Sequence, residues 1–158
     1  MEDPAWFKIT NIKNIDSPAL LIYTGRMKRN LQRALEISGN PALLRPHVKT
    51  SKITEVCALM MQQGITKFKA ATIAECEMLA MIGAPDVLLA YQPSGPKLDR
   101  FFSLVTKYTG TSFACLTDNE ATASLIAAKA LGQGLVISVY IDLNIGMNRS
   151  GVKPGGAL

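Results

Sequence analysis

Three cations, Arg45, Lys49 and Lys52, and the only histidine, His47, fall within the nine residues Leu44–Lys52. This stretch joins an apolar run to a helix pattern, which places it at the carboxyl end of a strand. Cations there suit an anionic ligand, and a lysine there suits nucleophilic chemistry. A neutral lysine amine adds to an aldehyde and forms a Schiff base. Neighbouring cations favour the neutral amine, and Arg45, His47 and Lys52 flank Lys49 in sequence. Lys49 is therefore the candidate nucleophile. The competing reading is a set of solvated cations at a strand terminus.

The elements that must position these residues follow a repeated pattern. Short apolar runs read as buried strands over Pro18–Tyr23, Pro41–Lys49, Ile65–Ala71, Pro85–Tyr91, Thr111–Leu116 and Leu135–Leu143. Amphipathic helices alternate with them. Met27, Leu31, Ala34 and Leu35 mark the first helix, which stops at Gly39. The second starts near Lys52 and buries Ile53, Val56, Cys57, Met60 and Met61. The third carries Met78, Leu79 and Ile82, the fourth Leu98, Phe101, Phe102 and Val105, and the fifth Ala121, Leu125 and Ala128. Thr72–Glu75 and Thr117–Glu120 both have the spacing of a capping box. Pro46 has no N–H for a sheet ladder, so its strand is expected to bulge or end early.

Strands alternating with helices give an α/β fold with a parallel sheet. No G-x-G-x-x-G and no P-loop is present, so a (β/α) barrel is favoured slightly over an open doubly wound sheet. Both place ligands at the carboxyl ends of the strands. The last strand is followed only by a loop ending in Gly155-Gly-Ala-Leu158, so the sequence reads as an incomplete barrel and part of a longer protein.

Composition narrows the function classes. Of 158 residues 48% are hydrophobic, and the mean hydropathy is +0.18; such a chain buries a core and is not disordered. The net charge is +5, but the 17 basic residues are scattered, with few aromatic residues among them. A nucleic-acid surface is not expected on that footprint. No apolar run approaches the roughly 20 residues that span a bilayer. Met1–Trp6 has none of the cationic and apolar character of a signal peptide. Three cysteines without a CxxC pair suggest buried free thiols and a reducing, cytoplasmic compartment.

Other candidates fall at the same strand ends. Arg149, in Gly-Met-Asn-Arg-Ser-Gly, offers a planar cationic fork for a ring hydroxyl or a carboxylate. His47 suits orientation of a ligand or proton relay. Thr72 is a helix cap that also reaches the ligand end. Tyr91 and Gln92 end a strand at that rim. Asp142 interrupts the last apolar run and is expected to be ion-paired, without a catalytic part. A Schiff-base lysine with cationic neighbours suits pyridoxal 5′-phosphate (PLP), whose pyridinium ring takes up electrons from a carbanion at a substrate's α-carbon.

The same residues carry a resemblance. Arg45-Pro-His-Val-Lys-Thr-Ser-Lys52 is similar to the R-P-H-x-K-T-H-K signature of the D-threonine aldolase and D-serine dehydratase family. Ser17–Leu21 resembles T-P-A-L-L, Ala71–Glu77 resembles A-T-x-x-E-A-E, Asp86–Tyr91 resembles D-I-L-L-A-Y, and Gly146–Val152 resembles G-M-x-R-T-G-V. The matches run in order from Asp16 to Val152. The resemblance implies a fold-type III PLP enzyme, with an alanine-racemase-like barrel and a mostly β domain. Residues 1–24 would then be a lead-in and one strand of the β domain, and 25–158 the first part of the barrel, with five of its strands starting from Leu43.

It further implies PLP on Lys49 and Arg149 near the ring oxygen; on the reading of the residues, His47 and Thr72 are the supporting contacts to the cofactor. Members of the family are much longer homodimers that use a divalent metal, whose ligands map to no residue here. Ser51 stands where the family signature has histidine, which touches local proton transfer but leaves Lys49 in place. The implied reaction is metal-activated cleavage of D-threonine to glycine and an aldehyde, with dehydration of D-serine as the alternative. A non-catalytic PLP-binding homeostasis protein is a further alternative, although its lysine motif reads V-S-K-T without R-P-H. This chain by itself is expected to be inactive.

Overall fold

The computed structural model describes residues 5–155. The described residues up to Asn40 form one compact unit and those from Pro41 onward another. In the first unit, a 3-10 turn at Ile12–Asn14 precedes helix α1, Thr24–Ser38. Met27, Leu31, Ala34 and Leu35 share its half-buried face, as their spacing predicts. Gly39 ends the helix at φ +65°, and its N–H donates to the Leu35 carbonyl. The Tyr23 ring stands edge-on to Trp6 at 5.0 Å, and the Tyr23 hydroxyl donates to the Phe7 carbonyl at 2.7 Å.

The strand expected over Pro18–Tyr23 does not form. Leu20, Leu21 and Ile22 are exposed, and no strand among the described residues pairs with them. An extended segment becomes a strand only through a neighbour's ladder of hydrogen bonds; apolar composition alone does not supply one.

In the second unit the helices are α2 (Thr54–Gln62), α3 (Ile73–Met81), α4 (Pro96–Lys107) and α5 (Glu120–Gly132). The strands are β1 (Lys67–Ala70), β2 (Asp86–Leu89), β3 (Ser112–Thr117) and β4 (Ser138–Ile141). All pairings are parallel and the order is β1-β2-β3-β4. A doubly wound sheet reverses its strand order at a switch point. This sheet advances in sequence order with a helix between each pair, so it is the barrel type.

The strand expected over Pro41–Lys49 is reduced to one parallel bridge, His47 with Lys69. Pro41–Leu43 is a 3-10 turn instead. Two prolines fix φ and remove ladder donors, but the Pro46 carbonyl still accepts from the Lys69 N–H at 2.9 Å. The bridge therefore stands as a fifth position at the edge of the sheet.

The core lies between the strands and helices α2–α4. Phe68, Val87, Leu89, Phe113 and Cys115 are buried from the sheet, and Cys57, Cys76, Leu79, Phe101 and Phe102 from the helices. Phe101 stands edge-on to Phe102 at 6.0 Å and to Phe113 at 6.2 Å. Burying each such ring stabilises the fold by about 1.5–3 kcal/mol. All three cysteines are buried free thiols. Burial pushes the Cys76 thiol up to about 12 and the Cys115 thiol to about 11, so both behave as packing groups.

Three further expectations fail in the last unit of the sheet. Helix α5 buries Ile126 and Ala130, whereas Ala121, Leu125 and Ala128 are exposed. Its alanine-rich sequence has little contrast between faces. The capping box Thr117–Glu120 is not formed: Asn119 is the N-cap and accepts from the Thr122 N–H at 3.1 Å. Thr117 belongs to β3 and donates its hydroxyl to the Asn119 carbonyl at 3.2 Å. The long buried strand expected over Leu135–Leu143 is a four-residue edge strand, exposed throughout. No further strand among the described residues pairs along β4.

Candidate active site

Parallel strands bring their carboxyl ends to one edge, and the expected site residues follow those ends. His47 is extended at its bridge to β1, and the chain then turns through a 3-10 turn, Val48–Thr50. Val48 is buried and anchors the turn, while Lys49 is exposed. The His47 Nδ1 accepts from the Lys49 N–H at 3.4 Å. Burial, then Lys49 and Lys69, pushes the His47 imidazole below its ordinary 6.5, so at neutral pH it is uncharged. With Nδ1 accepting, the ring proton sits on Nε2.

The Val48 carbonyl accepts from the Ser51 N–H at 3.2 Å and from the Lys52 N–H at 2.9 Å. Lys52 takes φ +54°, in the left-handed region that residues with a Cβ rarely enter. It is not in the helix it was expected to start, which begins at Thr54. Its Nζ lies 3.6 Å from Glu75 Oε1.

Thr72 follows β1 and caps α3. Its hydroxyl oxygen accepts from the Glu75 N–H at 3.1 Å, as the capping box predicts. The return bond differs. Glu75 Oε2 accepts from the Ala71 N–H at 2.7 Å, one residue before the cap. Glu75 is 4% exposed, and its Oε1 accepts no hydrogen bond from any described residue.

Beyond β2, β3 and β4, a pocket of about 160 Å³ is lined by Tyr91, Gln92, Thr117, Asp118, Asp142 and Ser150, among others. Burial raises the Tyr91 phenol. Asp142 is half-buried, and the described residues form no ion pair with it. The expected partner is missing because its neighbours Ile141 and Leu143 lie on an exposed edge.

Arg149 is exposed in the loop after β4. That loop is closed at its base by a parallel bridge of Leu143 with Val152. Asn144 Oδ1 accepts from the N–H groups of Gly146 and Asn148, both at 3.1 Å. Asp118 Oδ2 accepts from the Gly151 N–H at 2.8 Å. Gly151 has φ +95°, and a Cβ there would lie 2.6 Å from the Asn144 nitrogen. The loop closes only with glycine at that point.

The structure thus sets His47, Lys49 and Thr72 beside one another along the edge of β1. Arg149 is in the loop after β4, and β2 and β3 lie between β4 and β1 in the sheet. Sequence reasoning missed the part played by Arg45. Its guanidinium grips Asp86 with two bonds, 2.6 Å to Oδ1 and 2.9 Å to Oδ2, and reaches the Phe68 carbonyl at 3.3 Å. Asp86 is the first residue of β2, so this clamp joins the amino ends of the strands, away from Lys49. The hydrogen bond to Asp86 raises the Arg45 guanidinium further. Both partners lie in the matched motifs, but no spacing rule pairs residues so distant in sequence.

A parallel sheet in sequence order, with a helix between successive strands, is that of a (β/α) barrel protein. The profile described as "Alanine racemase, N-terminal domain" matches residues 22–158, and the chain belongs to that family. It is 32% identical over 139 residues to the D-threo-3-hydroxyaspartate dehydratase of Delftia sp. (strain HT23), covering 87% of this chain and 36% of that protein. It is 22% identical over 144 residues to the D-threonine aldolase of Arthrobacter sp., covering 90% and 37%. Among solved structures, D-threonine aldolase from Filomicrobium marinum superposes with a TM-score of 0.81 at 26% identity, covering 90% of this chain and 38% of that one. The family resemblance and the barrel fold are both borne out. The chain spans little more than a third of the length of these relatives.

Proposed function

We propose that the full-length protein is a PLP-dependent lyase acting on D-3-hydroxy amino acids, with Lys49 carrying the cofactor. The supporting observation is the exposed lysine on a buried anchor, Val48, at the carboxyl edge of a barrel-type sheet in this family. The groups present fit PLP. Lys49 offers the amine for its aldehyde, and Arg149 a fork for its ring oxygen or for a substrate carboxylate. Thr72 keeps its hydroxyl proton free to donate, because its oxygen already accepts from Glu75. His47 presents Nε2–H for orientation or proton relay. When bound, the cofactor supplies an electron sink for the substrate's α-carbon.

The divalent metal implied by the family finds no such fit, since no group of three or more His, Cys, Asp or Glu side chains could hold one among the described residues. The assignment of residues 1–24 to a β domain, the homodimer and the cytoplasmic location belong to the same proposal. Among the described residues no helix is long and apolar enough to cross a membrane.

Of the two lyase reactions, loss of water is favoured by the 32% identity to a dehydratase. Aldol cleavage is the second reading, favoured by the 0.81 TM-score to an aldolase. Product analysis separates them, as a 2-oxo acid with ammonia or as glycine with an aldehyde. For the cofactor, the full-length protein with PLP is expected to show an absorbance band that Lys49→Ala abolishes. A band that survives Lys49→Ala would remove Lys49 from the part assigned to it.

A further inference from the structure

The buried carboxylate of Glu75 has a use beyond capping α3. Its Oε2 already secures the Ala71 N–H, which ties it to the end of β1. Its Oε1 is buried, accepts no hydrogen bond from a described residue, and faces the Lys52 ammonium at 3.6 Å. A buried carboxylate oxygen without a compensating charge or donor is costly, so the ammonium is the group that makes this burial tolerable. Lys52, for its part, holds a left-handed backbone, φ +54°, which a residue with a Cβ adopts only at a cost that its surroundings must offset. That backbone closes the Lys49 turn, because the Lys52 N–H donates to the Val48 carbonyl. Each residue thus carries an unfavourable feature that the other offsets.

We infer that Glu75 and Lys52 are a positioning pair: the carboxylate at the head of α3 holds Lys52 in its left-handed conformation and thereby fixes the turn that presents Lys49. Neither residue need touch substrate. The pair joins the lysine turn to the end of β1 and the Thr72 cap, so three expected contacts of one ligand are held in one frame. This inference rests on the reading of Lys49 as the cofactor lysine.

The test uses Glu75→Gln, Lys52→Met, Lys52→Gly and the double variant Glu75→Gln/Lys52→Met in the full-length protein. PLP affinity is read by fluorescence titration and folding by thermal melts. Glu75→Gln keeps an oxygen for the Ala71 N–H, and Lys52→Gly keeps access to positive φ without the ammonium. Glu75→Gln, Lys52→Met and Lys52→Gly are each expected to weaken PLP binding about tenfold. The double variant should lose no more than either of its singles, because partners in one interaction are not additive. Melts that still show one cooperative transition distinguish loss of positioning from loss of the fold.

Wild-type affinity in Lys52→Gly would show that only the backbone matters and overturn the pairing, as would additive losses in the double variant. If the unsubstituted protein binds no PLP, this inference falls together with the reading of Lys49. If it binds PLP and all variants match it, only the pairing fails.

Discussion

His47 is the residue whose charge state the fold alters most usefully. Burial and two lysines hold its imidazole below 6.5 in the folded chain. The unfolded chain therefore takes up the proton first as pH falls, so His47 contributes a stability that is present above pH 6.5 and lost below it. Replacing His47 by Gln is expected to flatten the fall in stability just below pH 6.5, read from urea melts across that range. An unchanged slope would place the titration elsewhere. Gly151 makes a sharper steric case. With φ +95° and the Asn144 nitrogen 2.6 Å from an added Cβ, Gly151→Ala should destabilise by about 1–3 kcal/mol and release the Arg149 loop, as hydrogen exchange at Gly146 and Asn148 would report. The sequence located the Thr72 cap of α3 and set Lys49 two residues after the bridge of His47 with Lys69. It was silent on Lys52, because a positive φ in a lysine follows from a tertiary partner and has no local signature.

Elements were legible where the contrast between faces was strong. The spacing of Leu98, Phe101 and Phe102 located the buried side of α4, and Gly39 located the end of α1. Legibility failed where contrast or partners were missing. In α5 alanines on several faces hid the buried stripe, and at Thr117 two side chains competed to cap one helix. Pro18–Tyr23 and Leu135–Leu143 have strand composition, but pairing decides strands, and pairing is not written in one segment. The Arg45–Asp86 clamp holds such pairing in place at the amino ends of β1 and β2. Removing it by Arg45→Ala leaves a half-buried carboxylate without its two charge-assisted bonds, and should cost roughly 1–3 kcal/mol in urea melts. A loss under about 0.5 kcal/mol would reduce the clamp to a surface contact.

The second unit is asymmetric about its sheet. One edge is closed by the single bridge of His47, and the other is β4, where Val139, Tyr140, Ile141 and Leu143 are exposed. An apolar edge strand pairs readily with another chain. The 158-residue polypeptide, expressed by itself, is expected to associate through β4, and Ile141→Lys to lower its mass in light scattering. An unchanged mass would point to a different face. The alternation of strands with helices and the family were legible in sequence. The placement of Arg149 across β2 and β3 from Lys49 came only with the strand order.

On the proposed reading, the turn after His47 presents Lys49 to PLP. Borohydride reduction of the full-length protein loaded with PLP, followed by peptide mass mapping, tests it most directly. The pyridoxyl label is expected on Lys49; a label on Lys52, Lys69 or any other lysine, or no label at all, would contradict it.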